Sequence, residues 1–394
     1  MGLYNKSIRN MKSNNLKNRE IKLGDLLFYV AYFLFIFSII FFEYSELKYF
    51  QVTKSFYKLF ELIIYSLFIL KILLEKSYKF SEINKIIILS ICFLLSYFFS
   101  ENSVLIKALL IIIAAKGVKF NNIVKFDIKI KFIFIFLIIG LSITGVINNY
   151  ILIRNNTNQL RYSLGFIHPN IFSSFFLTLC IEYIYLKYYK IKKIEYLLII
   201  IIMFFVNLIT DSRTCIYIVI LLIILCIYFK NFSNKFERNK ILKNIIIYLT
   251  TIFSIISLIL SKNFNIYNNN YININNLFSG RIQQANKFIN EYGLSLFGQK
   301  VQIISYRDAL DKGIKAAILD NAYINMFTIY GVITLIIFCY GFTILSKKFI
   351  KEKKYNFLIC IIAFSFYGLM ETYLFKITFN VFLLYISTII YIDE

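Results

Sequence analysis

The chain has 394 residues, 59% of them hydrophobic and 19% aromatic, and carries a formal net charge of +23. A soluble chain of this length would fold into two or three domains with polar surfaces, and a mean hydropathy of +0.70 excludes that. Apolar runs of about 17–25 residues recur along it, the length a helix needs to cross ~30 Å of hydrocarbon. The expected fold is all-α: a polytopic transmembrane helix bundle forming one integral membrane domain over residues 1–394.

Residues 1–25 form a basic, polar segment expected on the cytoplasmic side. It holds no apolar stretch followed by a small-residue cleavage site, so the first span is expected to act as its own uncleaved signal. Twelve spans are predicted, at about 26–42, 59–74, 86–100, 103–115, 132–150, 164–186, 194–210, 212–229, 244–261, 321–345, 356–374 and 377–391. The third and fourth are short and the last two have almost no loop between them, so ten or eleven spans is the main alternative. With both termini inside, the inner segments carry 29 of the 44 Lys and Arg residues, the positive-inside pattern. That distribution explains most of the basic charge without nucleic acid. Lys107, within the fourth span, is expected to snorkel or to pair inside the bundle.

Cys92, Cys180, Cys215, Cys226, Cys339 and Cys360 all fall in predicted spans and outside CxxC or CxxH patterns. They read as small membrane-core residues. With a single histidine in the chain, no metal site and no cofactor are predicted.

That histidine and the only proline stand together in Arg161-Tyr162-Ser163-Leu164-Gly165-Phe166-Ile167-His168-Pro169-Asn170. His168 and Pro169 fall about one turn inside the sixth predicted span, where Pro removes a backbone hydrogen bond and kinks the helix. His168 and Asn170 would then satisfy the carbonyls the kink frees, or His168 would handle a proton directly. Arg161 precedes the span as an interface anchor or a phosphate clamp, and Arg154 lies in the same loop, further from the membrane. Arg213 sits in the tight turn Thr210-Asp211-Ser212-Arg213-Thr214, either snorkelling, paired with Asp211, or binding an anion. An anchor alone would more naturally use Lys, which this chain prefers; Arg suits bidentate phosphate contact.

A long outer loop runs over about 262–320. Residues 262–278 are rich in Asn and Tyr and read as a solvated linker. Residues 279–292 read as an amphipathic helix capped by Ser279, with Ile282, Ala285, Phe288, Ile289 and Tyr292 on one face and Gly293 as its stop. Arg281 at its start could hold an anionic headgroup together with the helix N-terminus. A second helix is predicted from about Tyr306 to Ile318. Asp320-Asn321-Ala322-Tyr323 then marks the return into the membrane, with Gly331 two turns on. Asp320 is either an N-cap or a general base at the mouth of the bundle.

These strings, in this order over about residues 150–345, resemble the polysaccharide polymerase and O-antigen ligase superfamily, and more narrowly the Wzy-type surface-polysaccharide polymerases of Gram-positive bacteria. The first 150 residues match only as apolar spans. The resemblance implies a GT-C-like, metal-independent glycosyltransferase in the bacterial cytoplasmic membrane, with its site facing outward. It implies polymerisation of polyprenyl-diphosphate-linked oligosaccharide units, with membrane lipids, a flippase and chain-length regulators as partners and no nucleic acid. Ligases of the superfamily usually carry a His before the Asn of the return motif. Asp320 stands there instead, which favours the polymerase branch. The residues expected to act are Asp320 and His168 on the proton, and Arg161, Arg213, Arg281, Asn170, Asn321 and Tyr323 on the diphosphate and sugars. A ligase-like transferase keeps the same chemistry with another acceptor. A lipid-linked oligosaccharide flippase, the competing class, would place charges deep within several spans and break helices near the midplane.

Overall fold

A computed structural model describes residues 23–75, 77–154 and 158–391; most of the basic N-terminal segment lies outside them. The described chain is helical almost throughout. In chain order it forms α1 (Leu23–Ser38, continued by a π turn, Ile39–Glu43), α2 (Gln51–Leu74), α3 (Phe80–Ser100), α4 (Val104–Ala114), α5 (Phe120–Ile143), a two-stranded antiparallel hairpin of β1 (Ile151–Arg154) and β2 (Gln159–Tyr162), α6 (Pro169–Lys187), α7 (Lys193–Thr210) and α8 (Arg213–Arg238). There follow α9 (Lys240–Ile247), α10 (Leu249–Lys262), α11 (Asn269–Leu277), α12 (Arg281–Tyr292), α13 (Tyr306–Lys312), α14 (Ala322–Asn325), α15 (Val332–Lys351), α16 (Tyr355–Tyr367) and α17 (Ser387–Ile390).

Six helices among the described residues are long and apolar enough to cross a membrane, or seven if α9 and α10, bent by 66° at Tyr248, make one span. The protein is a multi-pass helical membrane protein. The expected count of twelve is not reached by this measure: α4, α16 and the Val381–Ile390 stretch are short. The last is mostly tight 3-10 helix, Val381–Ile386. The peripheral helices α3 and α7 turn large apolar side chains outward, among them Phe98, Leu198 and Phe205. That is stable against lipid and costly against water. α6 and α16 are the most enclosed and form the centre of the bundle.

The chain passes back and forth between two ends. At one end the 115–119 turn, the 352–356 turn and the 387–391 segment converge. There the Lys71 ammonium donates to the Lys116 carbonyl at 2.9 Å, and the Tyr391 hydroxyl to the Ile113 carbonyl at 2.9 Å. At the other end the 44–50 turn, the hairpin, the α7–α8 turn, the long loop and the 368–380 segment converge. The Glu46 amide donates to Gly165 at 2.9 Å, Ile167 to Tyr44 at 3.0 Å, and Ala322 to Gly368 at 2.8 Å.

His168 and Pro169 do not kink a span. His168 is the extended N-cap of α6, its Nδ1 accepting the Asn170 amide at 3.0 Å, and Pro169 takes the first helical position. Pro is favoured there because its missing N–H would be unpaired anyway. The predicted start at residue 164 was early because the Leu164–Ile167 stretch is as apolar as a helix. In fact it carries two left-handed residues, Leu164 and Gly165. A Cβ on Gly165 would lie 3.0 Å from the Ile138 carbonyl oxygen, so this crossing of α5 requires glycine.

The linker predicted over 262–278 contains α11, capped by the Asn268 side chain. The loop helix is present as α12, but left-handed Gly280 is its N-cap in place of Ser279. The second loop helix, α13, is shorter than predicted and ends at Lys312. Beyond the loop, the return into the bundle breaks at Gly331, in left-handed backbone. The 295–299 segment crosses there: Val332 donates to the Ser295 carbonyl at 3.0 Å and Gln299 to the Ile329 carbonyl at 3.0 Å. A side chain on Gly331 would collide with the backbone of Leu296–Gly298.

One ion cluster lies wholly inside the helices. Lys131 on α5 donates to Asp127 at 2.6 Å, one turn back, and to Glu182 on α6 at 2.7 Å; all three are buried. Lys107 also pairs within the bundle, with Glu61 on α2.

Candidate functional site

The hairpin, the first turn of α6, the α7–α8 turn, the start of α12, the 319–321 segment and the 368–376 segment bring most of the predicted polar residues to one end of the bundle. β2 carries Arg161. Its Nε donates to the Thr210 carbonyl at 2.7 Å and its NH2 to the Asn170 side-chain oxygen at 2.5 Å. The Asn170 amide nitrogen donates in turn to Glu371 Oε1 at 3.1 Å. The same oxygen accepts Arg281 NH2 at 2.9 Å, and Arg281 Nε donates to the Met370 carbonyl. Two arginines from distant parts of the chain are thus joined through Asn170 and Glu371.

The electrostatics follow from burial and neighbours. Burial, with Arg154 next to it, pushes the Arg161 guanidinium down to about 10, so it is still charged at neutral pH. Burial lowers Arg281 too, but the Glu371 and Asp320 carboxylates outweigh it and hold the guanidinium above its usual range. Burial first, and the Asp320 charge second, push the Glu371 carboxyl up to about 7 against the pull of Arg281. Asp320 is raised by burial, with Arg281 and Lys376 opposing. It makes no hydrogen bond or ion pair to a described side chain, so its oxygens are free to accept.

Lys376 completes the cationic side. Its ammonium donates to the Tyr44 hydroxyl at 3.3 Å and sits over the Tyr373 ring at 5.6 Å. Burial lowers it, while Glu43, Asp320 and Glu371 pull it back up.

Not every predicted residue joins this group. Arg213 opens α8 and is half exposed, its Nε 3.5 Å from Asp211. Arg154 is nearer the cluster: it pairs with the other Asp211 oxygen at 2.8 Å and donates to the Asp211 carbonyl at 2.9 Å. Asn321 is the N-cap of α14, a position expected of Asp320. Its Oδ1 accepts the Ile324 amide, and its nitrogen donates to Ser257 and to the Leu369 carbonyl. Tyr323 is fully buried, its hydroxyl donating to the Ser365 carbonyl at 2.7 Å. Both residues anchor α14 to its neighbours, and their polar atoms are already engaged.

His168 stays neutral. Burial, reinforced by Arg161 and Arg281, drops its imidazole to about 3. Because Nδ1 already accepts the Asn170 amide, the single proton of the neutral ring sits on Nε2. His168 in this arrangement offers a donor to the site, not a base.

Glu371 and Lys376 are the residues that sequence reasoning missed. Glu371 fell within the predicted span 356–374, and Lys376 in the short gap before the span at 377–391. The signal was present: a carboxylate three residues after Gly368, in the middle of an otherwise apolar stretch, is costly unless paired. α16 ends at Tyr367, and Glu371 and Lys376 are the extended residues that flank a short 3-10 helix, Thr372–Phe375.

Chemically, the end of the bundle gathers two guanidinium groups that already donate to protein oxygens, an ammonium, an unpaired carboxylate, and a carboxyl that changes charge near neutrality. No family model, curated protein or solved structure matches the chain.

Proposed function

We propose that the protein polymerises polyprenyl-diphosphate-linked oligosaccharide units on the outer face of the bacterial cytoplasmic membrane. The observation that carries this reading is the Arg161–Asn170–Glu371–Arg281 chain beside the unpaired Asp320. It gathers planar phosphate-binding groups and a base at one end of a membrane bundle. The positive-inside distribution supports an outward position for that end. Two arginines, a lysine and two carboxylates converge at this end from distant parts of the chain, which supports transfer chemistry, while the buried Lys131–Asp127–Glu182 cluster is the feature a flippase reading would use.

In this reaction an acceptor hydroxyl of one lipid-linked unit loses its proton to Asp320. Its oxygen bonds to the anomeric carbon of the donor glycan. The bond from that carbon to the diphosphate oxygen breaks, and the electron pair leaves with the polyprenyl diphosphate. The growing charge on the leaving group is the main barrier a protein can lower here. Guanidinium forks meet phosphate oxygens bidentately, and a preorganised donor in a site of low hydration is worth about 10²–10³ in rate.

Arg281 is tied to Glu371 before substrate arrives. The incoming diphosphate raises the proton affinity of Glu371, already near 7, so that Glu371 takes a proton and releases Arg281 NH2 to the diphosphate, while Nε stays on the Met370 carbonyl. Arg161 acts from the hairpin side, and His168 holds the first turn of α6 as its cap. α12, tethered through Arg281, covers the sugars.

Glycan profiles from a strain lacking the gene test the proposal. Loss of a polymerase leaves single repeat units on the carrier. Accumulation of long chains on the carrier lipid would instead point to a ligase, and an unchanged profile would contradict both.

A further inference from the structure

The end of the bundle opposite the arginine cluster contains a cavity of about 750 Å³. It is walled by the α4–α5 turn and the first turns of α5, by the end of α6, by the start of α16 and by the C-terminal 384–391 stretch. Sites that bind small ligands span roughly 300–1,000 Å³, so the space is ample. Its lining includes Lys116, Lys119, Lys125 and Lys354, with Asn121, Asn122 and Asn356 as further polar groups, and no carboxylate.

The charges do not cancel. Lys116 is matched by Glu82 at 2.6 Å, and Lys354 by Glu352 at 2.7 Å, both acids lying outside the lining. Lys119 and Lys125 are exposed and lie beyond ion-pair distance of any described carboxylate. Two ammonium groups unmatched among the described residues therefore face a polar concavity whose described lining holds no carboxylate. Lys116 also sits over the Tyr78 ring at 4.0 Å and the Tyr391 ring at 4.7 Å.

From the cavity, its unmatched charge and its lining, we infer that this pocket binds a phosphate-bearing anion, with Lys119 and Lys125 as the recognising charges. Asn121 and Asn122 on the first turn of α5 add hydrogen-bonding groups. A phosphate of this kind is presented by an anionic lipid headgroup at the membrane surface or by free phosphate in solution. Basic pockets between membrane helices bind headgroups in this way. The inference does not depend on the reaction proposed for the other end.

The test uses the purified full-length protein in nanodiscs of phosphatidylcholine alone or with phosphatidylglycerol, followed by thermal melting and by native mass spectrometry of retained lipid. A detergent sample titrated with inorganic phosphate forms the second arm. The Lys119→Gln/Lys125→Gln variant is compared with Lys190→Gln/Lys193→Gln, which removes two exposed lysines at the same end but outside the cavity. Phosphatidylglycerol is expected to raise the Tm of the wild type and to be retained. The cavity pair should weaken its binding by about thirtyfold, two lysines' worth of surface attraction, while the control pair leaves it nearly unchanged. Stabilisation by inorganic phosphate with the same lysine dependence would identify the free anion as the ligand. Equal losses in both variants, or no anion effect in either arm, would overturn the site.

Discussion

Glu371 accepts the Arg281 guanidinium at 2.9 Å, across 90 residues of sequence, and offers the same oxygen to Asn170 at 3.1 Å. This one carboxylate binds the loop helix to the core of the bundle and links both buried arginines. It divides the three expected arginines into two that share a site and one, Arg213, that stands apart.

The arginine substitutions should follow that division. Arg281→Lys and Arg281→Ala should each lower polymer formation by about 10²–10³, because Lys keeps the charge but loses the fork. Arg213, 51% exposed and only loosely paired, should cost far less when replaced by Ala. Initial rates on a lipid-linked donor would show it. An Arg281→Lys enzyme of full activity would remove the clamp argument.

Glu371 should make the protein less stable as pH rises. Its carboxyl stands at about 7 in the folded state, against 4.5 as the ordinary value. Between those values the folded protein keeps a proton that the unfolded chain has lost, so stability is highest near the lower bound and falls through the upper one. Melting curves at about pH 5 and about pH 8 should show a steeper fall for the wild type than for Glu371→Gln. Equal slopes would mean that Glu371 is ionised throughout.

His168 should be replaceable by another cap. Its Nδ1 accepts the Asn170 amide, a role the Asn side chain also performs. His168→Asn should therefore keep most of the activity, and His168→Ala should lose about 1 kcal/mol of stability. If His168→Asn is inactive while its melting point is unchanged, the imidazole does more than cap.

The general class of the fold was legible because hydrophobic run length is a one-dimensional signal. The outer-end strings around Arg161, Arg281 and Asp320 were legible too, because arginine is scarce in this chain and stood out at helix ends. What failed was depth and direction. Pro169 reads as a kink if the helix starts at 164 and as a helix start if it starts at 169, and only the left-handed turn at Leu164–Gly165 decides. Glu371 was hidden because apolar residues continue on both sides of the break that places it, buried, beside Arg281. Tyr323 and Asn321 sit in the right motif, yet their polar atoms are spent on Ser365, Leu369 and Ser257, which no spacing rule reveals.

The Lys131 cluster was missed for a similar reason: Asp127 and Lys131 counted as an inner boundary, while Glu182 sat in another span. Lys131→Met should destabilise the protein by about 3–5 kcal/mol, since it leaves two buried carboxylates without their cation. Replacing Asp127, Lys131 and Glu182 together by apolar residues should recover most of that loss. Melting of the purified variants checks the order, and a triple variant weaker than the single one would contradict it.

The most direct measurement supplies purified protein in liposomes with one defined polyprenyl-diphosphate-linked oligosaccharide and no nucleotide sugar. The wild type should convert it to a ladder of longer glycans, releasing one polyprenyl diphosphate per bond formed, and both Asp320→Asn and Arg281→Ala should leave the single unit. A folded wild type that forms no ladder from its own strain's repeat unit, or a ladder that persists in both variants, would contradict the account.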